Sequence, residues 1–68
     1  VIVTLNHACS IPMPEGKYGY CIPGLRLFFK RHGMDFRTFA RNGLPEEDFL
    51  KTGDAMALKL VEFARGQQ

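Results

Sequence analysis

Four side chains of metal-ligand type, His7, Cys9, Cys21 and His32, have the widest chemical reach in this 68-residue sequence. Thiolates and imidazoles bind zinc, and a two-cysteine, two-histidine set is chemically reasonable. Their spacing argues against it: one residue separates His7 from Cys9, tighter than the usual zinc knuckle, and Cys21 and His32 stand far away. His32 also closes an apolar helical stripe, where an imidazole interacts well with the last carbonyls. The four read better as structural or surface residues, with a zinc site the lesser alternative. A cysteine paired with His7 or His32 would suggest nucleophilic catalysis. Neither pairing has a third, orienting group, and no glycine-rich oxyanion turn follows either cysteine. A free cysteine reads as a small buried hydrophobe, and a Cys9–Cys21 disulfide as the minor possibility. No catalytic residue and no cofactor is expected.

Charged residues carry a second kind of chemistry. Glu46, Glu47 and Asp48 are consecutive, so on a helix they fan apart by about 100° each and cannot converge on a metal or a proton. Acids in a first helical turn complement the macrodipole. Arg26–Lys30 and Arg37–Arg41 are like-charged pairs at helical i, i+4 spacing, a mildly destabilising arrangement that asks for an explanation. Residues 22–44 hold Arg26, Lys30, Arg31, Arg37 and Arg41 against Asp35, five minus one, or +4. Residues 45–68 hold Lys51, Lys59 and Arg65 against Glu46, Glu47, Asp48, Asp54 and Glu62, three minus five, or −2. Overall net charge is only +2, too small to imply nucleic acid by itself. The basic residues Arg26, Lys30, Arg37 and Arg41 are therefore the expected partner-binding face, for phosphate or an acidic protein surface.

These side chains must be positioned by local elements. Val1–Leu5 is β-branched and weakly alternating, a short strand or extended arm expected to pair around Tyr18–Cys21 or to lie across the helices. Pro12, Pro14, Gly16 and Gly19 then mark a loop. Pro23 suits the first turn of a helix, and Leu25, Phe28, Phe29 and His32 form its apolar stripe up to a Gly33 stop. Asp35 caps a second helix with Phe36, Phe39 and Ala40 inside, ended by Asn42-Gly43. Leu44-Pro45-Glu46-Glu47 opens a short third helix anchored by Phe49 and Leu50 and closed by Thr52-Gly53. Asp54 caps the last helix, which runs to about Arg65 with Gly66 as its stop; Met56, Ala57, Leu60, Val61, Phe63 and Ala64 give it a broad apolar face.

The fold expected is mostly α: one small domain over 1–68, with an extended arm and loop over 1–21 and a compact orthogonal bundle of about four short helices over 22–66. No segment is long and apolar enough to cross a bilayer, and the opening VIVTL lacks the pattern of a signal peptide. A helix-turn-helix reader would present Glu46, Glu47 and Asp48 to the DNA, where they repel phosphate.

The run from Cys21 through Gly24-Leu25-Arg26, Arg31-His32-Gly33-Met34-Asp35, Asn42-Gly43 and Thr52-Gly53-Asp54-Ala55-Met56-Ala57 resembles a family of small phage and prophage proteins encoded among virion head and tail genes. The likeness covers about residues 20–65. It implies origin and gene neighbourhood, in a host cytoplasm or on a virion, and transfers no activity. The combined expectation is a non-enzymatic protein-binding module, a virion-assembly or accessory factor whose partner is a phage structural or host protein. The alternative is a nucleic-acid-binding regulator or an inhibitor of a host nuclease complex.

Overall fold

Phenylalanine rings organise the interior. Phe29, Phe39 and Phe49 are each at most 1% exposed, and their centroids lie 4.8 Å (29–39), 5.9 Å (29–49) and 5.7 Å (39–49) apart. Pairs at this spacing add to the area term that already drives burial of each ring. The computed structural model describes residues 1–13, 16 and 19–67. Along them run β1 (Ile2–Val3), α1 (Leu5–Ser10), α2 (Ile22–Arg31), α3 (Phe36–Asn42), β2 (Leu44–Pro45), α4 (Glu46–Leu50) and α5 (Ala55–Gly66). The three central rings come from α2, α3 and α4, and α5 completes the core with Ala57, Leu60, Val61 and Ala64. The chain is thus mostly helical with a short-strand N-terminus, as its periodicity leads one to expect.

Three helices start where their caps dictate. Pro23 lies in the first turn of α2, and Asp35 and Asp54 accept hydrogen bonds from the first free N–H groups of α3 and α5. Inside α2, Leu25, Phe28 and Phe29 are buried and His32 half-buried, the stripe read from spacing. In α3, Phe39 is buried and Phe36 packs partly against the core, but Ala40 is exposed. Leu50 is likewise 41% exposed, since Phe49 alone fills the core position of so short a helix. The last helix includes Gly66 and is capped by Gln67.

The first twenty residues differ most from expectation. Among the described residues of this stretch the strand is Ile2–Val3, and Leu5–Ser10 is a helix rather than part of an extended arm. Its start is a capping box: the His7 N–H donates to Thr4 Oγ1 at 3.2 Å, and the Thr4 N–H donates to His7 Nδ1 at 3.0 Å. The strand does not pair around Tyr18–Cys21; Tyr18, like Pro14 of the loop, lies outside the described residues. It pairs antiparallel with Leu44–Pro45, Ile2 opposite Pro45 and Val3 opposite Leu44. Leu44 and Pro45 therefore precede the third helix of the sequence reading instead of opening it, and Pro45 is the N-cap of α4. Val3 is fully buried, so this pairing drives an apolar side chain into the bundle.

Gly43 makes the pairing possible. Its φ of 76° with ψ of 174° is a conformation open essentially to glycine alone. A Cβ there would stand 2.8 Å from the Val3 carbonyl oxygen and 2.7 Å from Ile2 Cγ2. Gly33 also has positive φ, but a Cβ there meets nothing within 4 Å. Gly33→Ala should therefore cost about 1–2 kcal/mol, the price of the backbone conformation alone. Gly43→Ala should cost clearly more in urea unfolding, because a conformation nearly closed to alanine and steric displacement of β1 are both added. Equal costs would show that strand docking does not constrain Gly43.

Candidate interaction surface

The four metal-type side chains are held apart by the fold. Cys21 is the N-cap and His32 the C-cap of α2, so the length of that helix, about 16 Å at 1.5 Å per residue, stands between them. No single ion spans that distance with bonds of zinc length. His7 has already engaged Nδ1 in the capping box, and its ring meets the Phe63 ring edge-on at 6.4 Å. Both cysteines are free thiols and exposed rather than buried. Among the described residues, no three His, Cys, Asp or Glu side chains gather as a metal site. The same separation denies Cys21 a base in His32.

The acids sort into engaged and free groups. Glu46 is more than a first-turn acid: it hydrogen bonds to the Arg65 guanidinium of α5, and the Val1 nitrogen lies 2.8 Å from its Oε1. Arg65 first, and then the Val1 nitrogen, hold the Glu46 carboxyl down at about 2 against an ordinary 4.5. Asp48 lies 3.6 Å from Lys51. Asp35 caps α3, and its bond from the Thr38 hydroxyl, with backbone bonds from Thr38 and Arg37, lowers its pKa. Glu47, Asp54 and Glu62 have no ion-pair partner among the described residues.

The cations of α2 and α3 share that freedom. Arg26, Lys30, Arg31, Arg37 and Arg41 are all exposed, and none approaches a carboxylate within ion-pair distance among the described residues. Neither helix contains an acid. The Arg26 guanidinium lies over the Phe36 ring at 5.4 Å, so the outer face of α2 continues onto the start of α3. Phe29 contacts both Phe36 (5.4 Å) and Phe39 (4.8 Å), fixing the two helices against each other. Arg26, Lys30, Arg37 and Arg41 thus stand on one rigid pair of helices.

Sequence reasoning missed the apolar part of this surface. Ile22, Pro23, Arg26, Leu27, Lys30 and Arg31 are all exposed and form two adjacent stripes of α2. Leu27 is 63% exposed, the most exposed large hydrophobe described. A signal existed, since Leu27 falls outside the spacing of Leu25, Phe28, Phe29 and His32. Leu58 of α5, 48% exposed, stands off its own helix's stripe in the same way.

Two clefts border these elements among the described residues. A cleft of mixed polarity, about 490 Å³, lies between His32–Asp35 and Asp48–Thr52. Its carboxylates are engaged as described, its Thr38 hydroxyl donates to the Asp35 carboxylate, and its Thr52 hydroxyl donates to the Phe49 carbonyl. The buried Nε2 of His32 has no hydrogen-bond partner among the described residues. An apolar groove of about 370 Å³ is bordered by Ile11, Tyr20, Met56 and Lys59. The Tyr20 hydroxyl donates to the Met56 carbonyl at 3.1 Å, and burial, followed by the nearby Asp54, raises its pKa. No family model, no curated protein and no solved structure matches this chain.

The depressed Glu46 carboxyl makes a pH prediction. In the unfolded chain it takes up a proton at higher pH than in the folded one, so its ion pair stabilises fully above about pH 4.5 and is lost as pH falls toward about 2. Glu46→Gln should lower the thermal unfolding midpoint at neutral pH, and the difference from the native chain should shrink toward about pH 2. A difference that stays constant across that range in circular dichroism melts would show that the Glu46 charge contributes nothing.

Proposed function

We propose that this chain is a non-enzymatic binding module that docks an acidic protein surface through the outer faces of α2 and α3. The observation behind this reading is the set of exposed cations, Arg26, Lys30, Arg31, Arg37 and Arg41, that have no ion-pair partner among the described residues and stand on two acid-free helices. Clustering them carries a repulsive cost, which an oppositely charged partner offsets. Leu27 and Ile22 among them favour a protein over a nucleic acid, because an apolar centre with a charged rim is the common plan of protein interfaces. The helix after α3 is also too short, at five residues, and too acidic at its start to read a DNA groove. The absence of a membrane partner is part of the proposal; no described helix is long and apolar enough to cross a bilayer. A role as a phage virion-assembly or accessory factor, in the host cytoplasm or on the virion, rests on the resemblance of residues 20–65 alone.

Isotope-labelled protein titrated with a glutamate- and leucine-rich peptide tests this reading. Backbone amide shifts should concentrate on α2 and α3, and Arg37→Glu with Arg41→Glu should weaken binding at least tenfold while leaving the circular dichroism spectrum unchanged. Unaltered affinity would sink the assignment. A short DNA duplex is the comparison: tighter binding to it, with log affinity falling steeply against log salt, would transfer the surface to nucleic acid.

A further inference from the structure

We infer that the acidic protein docked by the α2 face is a second copy of this chain, presenting a groove between α4 and α5. This inference rests on the reading of α2 and α3 as a protein-docking surface and names its occupant. The groove, about 280 Å³, is floored by Phe49, Leu50, Ala55 and Leu58, with Asp54 at its edge. Glu47 stands one helical turn before Leu50 on α4, and Asp54 and Glu62 lie four residues either side of Leu58 on or beside α5. These three acids have no ion-pair partner among the described residues, though Asp54 also caps α5, while Glu46 and Asp48 are neutralised by Arg65 and Lys51.

The α2 face is its complement in both respects. Arg26, Lys30 and Arg31 surround Leu27 and Ile22, so cations border an apolar centre where the groove has acids bordering one. The large exposed hydrophobes described are Ile2, Ile22, Leu27, Leu50 and Leu58, and four of these five lie on the two matching faces. A helix presenting anchors at helical spacing to an apolar groove is a recurrent recognition mode, and opposite charges at its rim set orientation and encounter rate. Leu27, the most exposed of the five, enters the groove between Leu50 and Leu58.

Different patches meet in this contact, so it is heterologous: each copy offers one face and one groove. Such contacts close into rings or continue as open assemblies, unless the two patches are placed so that two copies satisfy both contacts at once.

Sedimentation of the full chain at low and high salt tests it with two variants. The first neutralises the face with Arg26→Gln, Leu27→Ser and Lys30→Gln; the second neutralises the groove with Glu47→Gln, Leu58→Ser and Glu62→Gln. All six positions are exposed, and circular dichroism checks that each variant folds. The native chain should self-associate with rising concentration and dissociate with salt. Each variant alone should weaken association at least tenfold, and an equimolar mixture should form a one-to-one pair that grows no further, because it contains a single intact face–groove contact. A native chain that stays monomeric at millimolar concentration overturns the inference, as does a groove variant that associates like the native chain. If the acidic peptide still binds α2 and α3 in that case, only self-docking falls; if it does not, the docking reading falls as well.

Discussion

Phe29 is the side chain on which the arrangement depends. Its ring meets Phe28 at 5.9 Å, Phe36 at 5.4 Å, Phe39 at 4.8 Å and Phe49 at 5.9 Å, joining α2 to α3 and α4 through one residue that is 1% exposed. A domain this small cannot build a second core, so its largest apolar groups must converge on one point. Leu25, Phe28 and Phe29 together commit one side of α2 to the interior. The other side is then forced outward along its whole length, and whatever residues it carries become surface. The placement of Arg26, Leu27, Lys30 and Arg31 is thus a direct result of where the phenylalanine stripe lies.

Electrostatics follows from the same geometry. α4 and α5 pack closely, and opposite charges on and between them find each other: Glu46 with Arg65, Asp48 with Lys51. On α2 and α3 there is no acid to find, apart from the Asp35 cap between them, which is engaged with backbone and hydroxyl donors of its own helix. Arg26 instead lies over the face of Phe36. The α2–α3 half keeps its cations and the α4–α5 half keeps Glu47, Asp54 and Glu62 without ion-pair partners among the described residues, so the sign of each half is expressed at the surface. Exposed pairs such as Asp48–Lys51 contribute little to stability, so the effect of this asymmetry falls chiefly on encounters with other molecules.

Much of this was legible from residue order, for identifiable reasons. Pro23, Asp35, Asp54, Gly33 and Gly43 act locally, through backbone conformations and caps that need no distant partner, and α2, α3 and α5 lie where they indicate. The α1 helix was hidden because its capping box uses His7 in place of the usual glutamate or glutamine. The partner of β1 was hidden because Leu44-Pro45 looks like a helix start, and only the three-dimensional path brings it beside Val3. The basic residues of the candidate site were visible as i, i+4 pairs. Its hydrophobic members were not, because Leu27 and Leu58 matter for where they do not point, and Leu50 was assigned to a core that Phe49 fills alone. The metal-type set dissolved once α2 had a length.

The two-residue ladder between β1 and β2 has an entropic meaning. Val3 and Leu44 are 41 positions apart, 44 minus 3. Bringing the ends of so long a flexible segment together costs about 3 kcal/mol by the logarithmic closure law, before any constant is added. A ladder of two residues returns about as much at best, through Val3 burial and net hydrogen bonding. That leaves the ladder little margin to close the segment by itself. It closes more readily on a span that α2, α3 and their phenylalanine contacts have shortened, so helical assembly favours the sheet.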